Sequence, residues 1–221
     1  SITTTELRTE PLGALVDEQV RVRVDHVAIT ANTITYAQFG DLLAYWSFYP
    51  LDDHWGLVPA VGWGTVVQSH VDGVNVGTHV HGWFPMATTV DYTATPTPDG
   101  FRDDGPHRAA HAPIYRTFTA RDRDPMYTGA DDEERHSLVR VLYLTGFLIE
   151  SFFESEHFAD VDQSIVMSAS SKTAIGYAFA ARQACEAGRH VPDLVGVTSP
   201  GNVEFVRALG LYDDVITYDA V

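Results

Sequence analysis

The sequence predicts an α/β protein: an N-terminal β-barrel followed by a parallel sheet with helices on its faces. Three observations predict it. Residues 20–30 begin with strict apolar–polar alternation, and glycine-marked strand runs follow as far as residue 95. From residue 164 onward, strand-like and helix-like runs alternate as β-α-β-α-β, the unit of a parallel sheet. The only lysine, Lys172, falls in a small hydroxylated stretch between the first of those strands and its helix.

In the first part, Val20-Arg-Val-Arg-Val24 reads as a half-buried strand, one face to a core and one to water. Residues 58–71 form a second strand region, bent at Gly62 and Gly64. Asp72-Gly73 makes a turn, residues 78–84 a third strand and residues 88–92 a further short one. Short strands joined this way suit a small barrel. Residues 95–136 lack periodicity and are dominated by Pro, Gly, Asp, Arg and His, so a long surface loop is expected there. The first domain is accordingly placed at 1–136 and the second at 137–221.

Residues 133–157 recover a helical rhythm, with Leu138, Val141, Leu142, Thr145 and Leu148-Ile149 on one face. Asp131 to Glu134 supply its acidic start. A strand (164–168), helix (173–187), strand (194–198), helix (201–209) and strand (214–218) follow, with Gly210 closing the second of these helices. The run stops at Val221 after its third strand, where a complete doubly wound domain has about six. Strand 165–167 would then be a bare apolar edge. The expectation is a fragment, a truncated product, or half a domain whose complement comes from another chain.

The net charge of −16 argues against nucleic acid or an anionic membrane as partner. The chain opens on polar residues without a signal-type apolar core, and no apolar stretch approaches the roughly 20 residues a membrane span needs, so a cytoplasmic location is expected. Cys185 is the sole cysteine, which excludes an internal disulfide and any zinc site built from several cysteines.

The chemistry concentrates around Ser168-Ala-Ser-Ser-Lys-Thr-Ala-Ile-Gly176. A strand, a loop of small residues and a helix start together present backbone N–H groups and a positive helix end to an anion. Ser168, Ser170, Ser171, Lys172, Thr173 and Gly176 are therefore candidates to hold the diphosphate of a dinucleotide; an ordinary surface lysine is the alternative. The second strand ends at Thr198-Ser-Pro-Gly-Asn202 without a carboxylate, so a 2′-phosphate would meet no repelling charge. Thr198, Ser199 and Asn202 thus favour NADP(H) over NAD, while Ser199 or Asn202 also suits a helix N-cap. Tyr45, Trp46, Phe48 and Tyr49 either wall a pocket or fill the core. His79 and His81 share a strand face, yet no third ligand is evident and no metal site is assigned.

Several stretches resemble the medium-chain dehydrogenase/reductase superfamily. Val58-Pro-Ala-Val-Gly-Trp-Gly-Thr-Val-Val and Val71-Asp-Gly-Val-Asn-Val-Gly-Thr-His-Val-His-Gly82 look like its P-G-x-E-x-x-G-x-V and G-x-x-V-G-D-x-V stretches. Phe205-Val-Arg-Ala-Leu-Gly-Leu-Tyr-Asp-Asp-Val-Ile looks like its A-x-x-L-G-A-D-x-V-I stretch. Ile29-Thr-Ala-Asn-Thr-Ile-Thr-Tyr-Ala-Gln-Phe-Gly-Asp41, Trp83-Phe-Pro-Met-Ala-Thr88 and Ser168-Ala-Ser-Ser-Lys-Thr-Ala174 are similar to an uncharacterised, quinone-oxidoreductase-like branch.

The resemblance implies a GroES-like barrel plus an incomplete Rossmann-type domain, and the expected function follows from where the motifs depart. Where zinc-dependent members carry a Cys and a Gly-His-Glu, this chain reads Ile34-Thr-Tyr36 and Val61-Gly-Trp63-Gly, which implies a zinc-independent reductase. The usual glycine-rich phosphate turn keeps only Gly176. Tyr36 and Asn32 lie in the segment similar to the zinc-free reductases' catalytic segment, and imply a donor to the oxygen of a small conjugated carbonyl. A homodimer is expected of the whole protein. A non-catalytic nucleotide-binding scaffold is the alternative, and a coenzyme A phosphate is another candidate for the loop.

Overall fold

The computed structural model describes residues 4–52, 54–127, 129, 132–156 and 164–220. They fall into two compact units, Ser1–Leu138 and Val139–Val221. Asp131, part of the expected acidic helix start, lies outside the described residues.

The first unit is a closed antiparallel barrel in the order β1-β2-β3-β6-β5-β4. Its strands are β1 (Gln19–Val27), β2 (Pro59–Ser69), β3 (His79–Pro85), β4 (Thr89–Thr97), β5 (Gly100–Asp103) and β6 (Thr117–Ala120). The alternation in β1 sends Val20 and Val22 fully inside, where they join Val66, Val80, Phe84, Tyr92, Phe101 and Phe118. Two register shifts, at Arg21/Val22 and Val24/His26, let β1 bend along β2. On its outer face Arg21 stands directly opposite Asp91 of β4, and holds it with two hydrogen bonds of 2.7 Å.

The expectation of a long loop over 95–136 is overturned. β4 runs on to Thr97, and β5 and β6 both come from that stretch and close the barrel. Each is only four residues long, so there is too little alternation to register as a period. Tertiary burial compensates. Phe101 and Phe118 are fully buried and stack with centroids 4.7 Å apart, each contributing about 1.5–3 kcal/mol of apolar burial. Gly82 of β3 makes room for them, since a Cβ there would lie 2.4 Å from the Phe118 ring. Between β5 and β6 the chain folds into two 3-10 turns, Pro106–Arg108 and Pro113–Tyr115, each with Pro in its opening positions.

The helix α2 (Glu133–Ser155) follows, with Glu133 and Glu134 in its first turn. Its inward face differs from the expected stripe, because Leu148 is 68% exposed whereas Ile149 and Phe153 pack into the core of the second unit. That unit is a parallel sheet ordered β7 (Ile165–Ser168), β8 (Leu194–Thr198), β9 (Asp214–Thr217). The helices α3 (Lys172–Glu186) and α4 (Val203–Ala208) make the crossovers. Gly210 follows α4 at φ +65, a conformation glycine adopts without steric cost. Among the described residues β7 pairs with β8 alone, and Val166 is 60% exposed.

Candidate functional site

In the first unit, Asn32 and Tyr36 sit on α1 (Ala31–Gln38). They are four residues apart, one turn of helix, and so share a face. Thr30 fixes the helix start, its N–H donating to Thr33 Oγ1 at 3.0 Å. The Tyr36 ring packs 4.3 Å from Tyr45 and 5.5 Å from Trp83. The Tyr115 ring lies 5.0 Å from the same Trp83 and edge-on to Tyr45 at 6.4 Å. Phe48 is buried beneath them, 5.3 Å from Tyr45 and 5.1 Å from Tyr115. Thus Tyr45 and Phe48 line the cluster and Tyr49 belongs to the core, where its hydroxyl donates to the Trp83 carbonyl.

Burial raises the Tyr36 phenol above its ordinary range, the nearby Tyr115 hydroxyl raises it further, and a hydrogen bond from Asn32 opposes both. Tyr45 is raised more strongly, by burial first and then by its hydrogen bond to Tyr115. Both phenols are therefore neutral donors at ordinary pH. His111 closes the side of the cluster, its ring 4.2 Å from Phe48 and its Nε2 2.8 Å from Ser47 Oγ. Burial, and then the charge of Arg108, push it down to about 4, so it is neutral as well.

Arg108 holds the floor. Its guanidinium is fully buried, 4.8 Å from the Phe48 ring and 5.0 Å from Tyr49. It donates to the carbonyls of Phe48 and Tyr115. Trp83, Arg108 and Tyr115 carry no site assignment from the sequence, because they meet Tyr36 only through the closed barrel. The Pro113-Ile-Tyr115 turn was the one local signal available for Tyr115.

In the second unit, the loop after β7 leads into α3 at Lys172. Ser171 caps that helix, its Oγ accepting the Ala174 N–H at 3.1 Å. Ser170, Ser171 and Lys172 are exposed, and Thr173 is half-buried. This exposed, hydroxyl-rich helix start with one cation fits a diphosphate. Ser168 is exposed, its Oγ 3.0 Å from the Tyr218 hydroxyl, which leaves it further hydrogen-bonding capacity. Two expected contacts need correction. Gly176 is buried under α2, where a Cβ would come 3.0 Å from Tyr143 Cα; it serves helix packing, not close approach of a ligand. Thr198 is fully buried at the end of β8 and cannot reach a 2′-phosphate from there. Ser199 and Asn202 remain at the surface side of that end, and neither side chain makes the capping bond that the sequence allowed.

His79 lies between Asp25 at 3.4 Å and Glu133 at 3.2 Å, while Trp63 stacks on it at 5.2 Å. Among the described residues, no group of three or more His, Cys, Asp and Glu side chains is placed to hold a metal ion. A cavity of about 330 Å³ beside His79, lined also by Val76, Arg121 and Asp122, includes none of the candidate residues. No described helix is long and apolar enough to cross a membrane.

The closed barrel and the parallel β-α-β-α-β sheet recur in solved structures of oxidoreductases. The chain is similar to the yhdH oxidoreductase from Salmonella enterica in complex with NADP (TM-score 0.54, 13% identity, 96% of this chain and 56% of that one). It is also similar to an NAD-dependent alcohol dehydrogenase (0.52, 14%, 96% and 59%). A third is CurA from Vibrio vulnificus in complex with NADPH (0.51, 10%, 98% and 53%). The chain spans little more than half the length of these structures. It belongs to the family described as "Protein of unknown function (DUF2855)", whose model matches residues 27–221. No curated protein matches the sequence.

Proposed function

We propose that this chain is part of a zinc-independent, NADP(H)-dependent reductase that transfers hydride to a quinone, enone or similar conjugated carbonyl. The observation that carries the reading is Tyr36: a neutral phenol, hydrogen-bonded by Asn32 and set among aromatic rings. Such a group can donate to an oxygen that gains negative charge, the task a metal performs in zinc-dependent reductases. The rings of Tyr45 and Trp83 suit a planar conjugated acceptor.

The nucleotide is assigned to the second unit. Ser170, Ser171, Lys172 and Thr173 would hold the diphosphate, with Ser199 and Asn202 near the adenosine ribose. When bound, the reduced nicotinamide supplies the hydride. The absence of a carboxylate at the end of β8 favours the phosphorylated cofactor, and the solved NADP and NADPH complexes of similar fold support the same choice. A small conjugated substrate, a homodimeric assembly and a cytoplasmic location complete the reading.

The test has two stages. NADPH fluorescence is titrated with the protein, and turnover is then measured with a panel of quinones and enones. The reading expects saturable binding and NADPH oxidation that Tyr36→Phe slows by about 10²-fold or more. Binding without turnover on any acceptor would assign a nucleotide-binding scaffold instead.

A further inference from the structure

We propose that the N-terminal arm is a salt-sensitive strap: Arg8 clasps Asp52 and Trp55, and through Trp46 that clasp holds the Tyr45 ring beside Tyr36. Residues 4–14 are exposed and form no regular element. The arm is fastened at its end nearest β1, where Leu15 is buried and the Gly13 carbonyl accepts from Arg21 Nη2 at 2.8 Å. Farther out, Leu7 and Leu12 are 98% and 63% exposed, so apolar burial does not hold that part. Among the described residues 4–12, the polar link to the barrel unit is Arg8. Its Nη1 donates to Asp52 Oδ2 at 3.0 Å, and its guanidinium lies 4.8 Å from the centre of the Trp55 ring.

Asp52 and Trp55 belong to one tight turn. The other carboxylate oxygen of Asp52 accepts the N–H groups of His54 and Trp55 at 2.8 and 2.9 Å, and the Trp55 carbonyl accepts those of Leu51 and Asp52. Pro50 and Gly56 pair across the turn, and the Leu57 N–H donates to the Tyr49 carbonyl at 3.0 Å. Gly56 lies against the Trp46 indole, where a Cβ would come 2.9 Å from the ring; Gly40, just after α1, would bring one to 2.4 Å. Trp46 is next to Tyr45 in the 3-10 turn Tyr45–Ser47, and the Tyr45 ring packs 4.3 Å from Tyr36. Loosening the turn at Asp52 therefore loosens the packing that fixes Trp46 and Tyr45.

Three features make this a reversible latch. Ala44, immediately before the 3-10 turn, has φ +58, a left-handed conformation that persists only while its surroundings enforce it. Release of the packing on Trp46 gives that residue a less strained backbone to return to. The clasp is also open to water: the Arg8 and Asp52 side chains are 31% and 46% exposed, so dissolved ions compete with the pair. Finally, Glu6 lies 3.3 Å from Arg8 Nε and keeps the guanidinium partnered within the arm when it leaves Asp52. Arg8, Asp52 and Trp55 are thus positioning residues that act through Trp46.

The test is ¹⁹F NMR of the full chain labelled with 5-fluorotryptophan, which reports on Trp46, Trp55, Trp63 and Trp83 separately once each is assigned by substitution with Phe. In Arg8→Ala the Trp55 and Trp46 resonances should both move. Trp63, fully buried in the barrel and stacked on His79, should stay in place and serves as the control for the fold. Raising salt from about 0.05 to 0.5 M should carry the Trp55 and Trp46 resonances of the unaltered protein toward their Arg8→Ala positions, and leave Arg8→Ala unchanged. Arg8→Lys keeps the charge and should restore part of the shift. Amide exchange at Leu57 should run about fivefold faster in Arg8→Ala, the scale of an exposed ion pair with a cation–π contact.

If Trp55 moves while Trp46 and Leu57 do not respond, the arm docks without governing the aromatic wall, and the strap is overturned. If neither indole moves, the clasp itself is absent and the proposal fails with it. Movement of Trp63 as well would mean a general loosening of the barrel, which also contradicts a local latch. No nucleotide or carbonyl compound takes part in these measurements, so the strap stands or falls independently of the reading of Tyr36 as a donor.

Discussion

Arg108 Nε lies 3.1 Å from Asp103 Oδ2, and neither side chain is open to solvent. The pair joins the end of β5 to the 3-10 turn after it, directly below the aromatic cluster. Removing one partner strands the other as a buried charge, which costs more than the pair itself contributes. Arg108→Ala is expected to lose about 3–5 kcal/mol of stability in urea unfolding. The double variant Arg108→Met, Asp103→Leu should lose much less, because no charge is stranded. Equal losses in the two would show that the charges are immaterial.

Asp104 gives the first unit a defined acid sensitivity. Its carboxylate accepts two hydrogen bonds of 2.8 Å from Arg102 and one of 3.1 Å from Arg116. Arg102 chiefly, and then Thr95 and Arg116, pull it down to about 2 against the opposing effect of burial. The folded value is below the unfolded one, so the contribution is present above about pH 4 and is lost as pH falls toward 2. It amounts to no more than about 2 kcal/mol, and less once solvent screening is counted. Asp104→Asn should flatten the fall in Tm between pH 4 and pH 2. An unchanged slope would remove Asp104 from the account.

Gly146 and Gly176 meet where α2 and α3 cross. A Cβ on Gly146 would come 2.3 Å from the Tyr177 nitrogen and 2.5 Å from the Gly176 carbonyl carbon. Both are backbone atoms, so the helices themselves would have to part. Alanine gains about 1 kcal/mol in helix propensity over glycine, but overpacking costs about 1–3 kcal/mol. Gly146→Ala should therefore destabilise the second unit and speed amide hydrogen exchange in α3. A rise in stability would mean that the crossing has slack.

The sequence expressed local features well and closure poorly. Val20, Val22 and Val24 announce β1 through alternation alone, and Gly210 marks the end of α4 because only that backbone region is costly for other residues. β5 and β6 were invisible because Phe101 and Phe118 are isolated large apolar residues in four-residue strands, and become strands only by pairing with β4 and β3. The same reason hid Tyr115. Its meaning depends on Trp83 and Tyr45, 32 and 70 positions away by numbering. Conversely, Thr198 and Gly176 suit a nucleotide site by residue type, yet burial gives them to the core.

The central claim is that the turn between β7 and α3 holds a dinucleotide diphosphate, and one titration tests it most directly. NADPH fluorescence is followed against the unaltered protein and Lys172→Ala, at low and moderate salt. The account predicts saturable binding, a Kd about tenfold higher in Lys172→Ala, and a smaller difference as salt rises. Equal Kd values for the two proteins, or no binding by either, would contradict it.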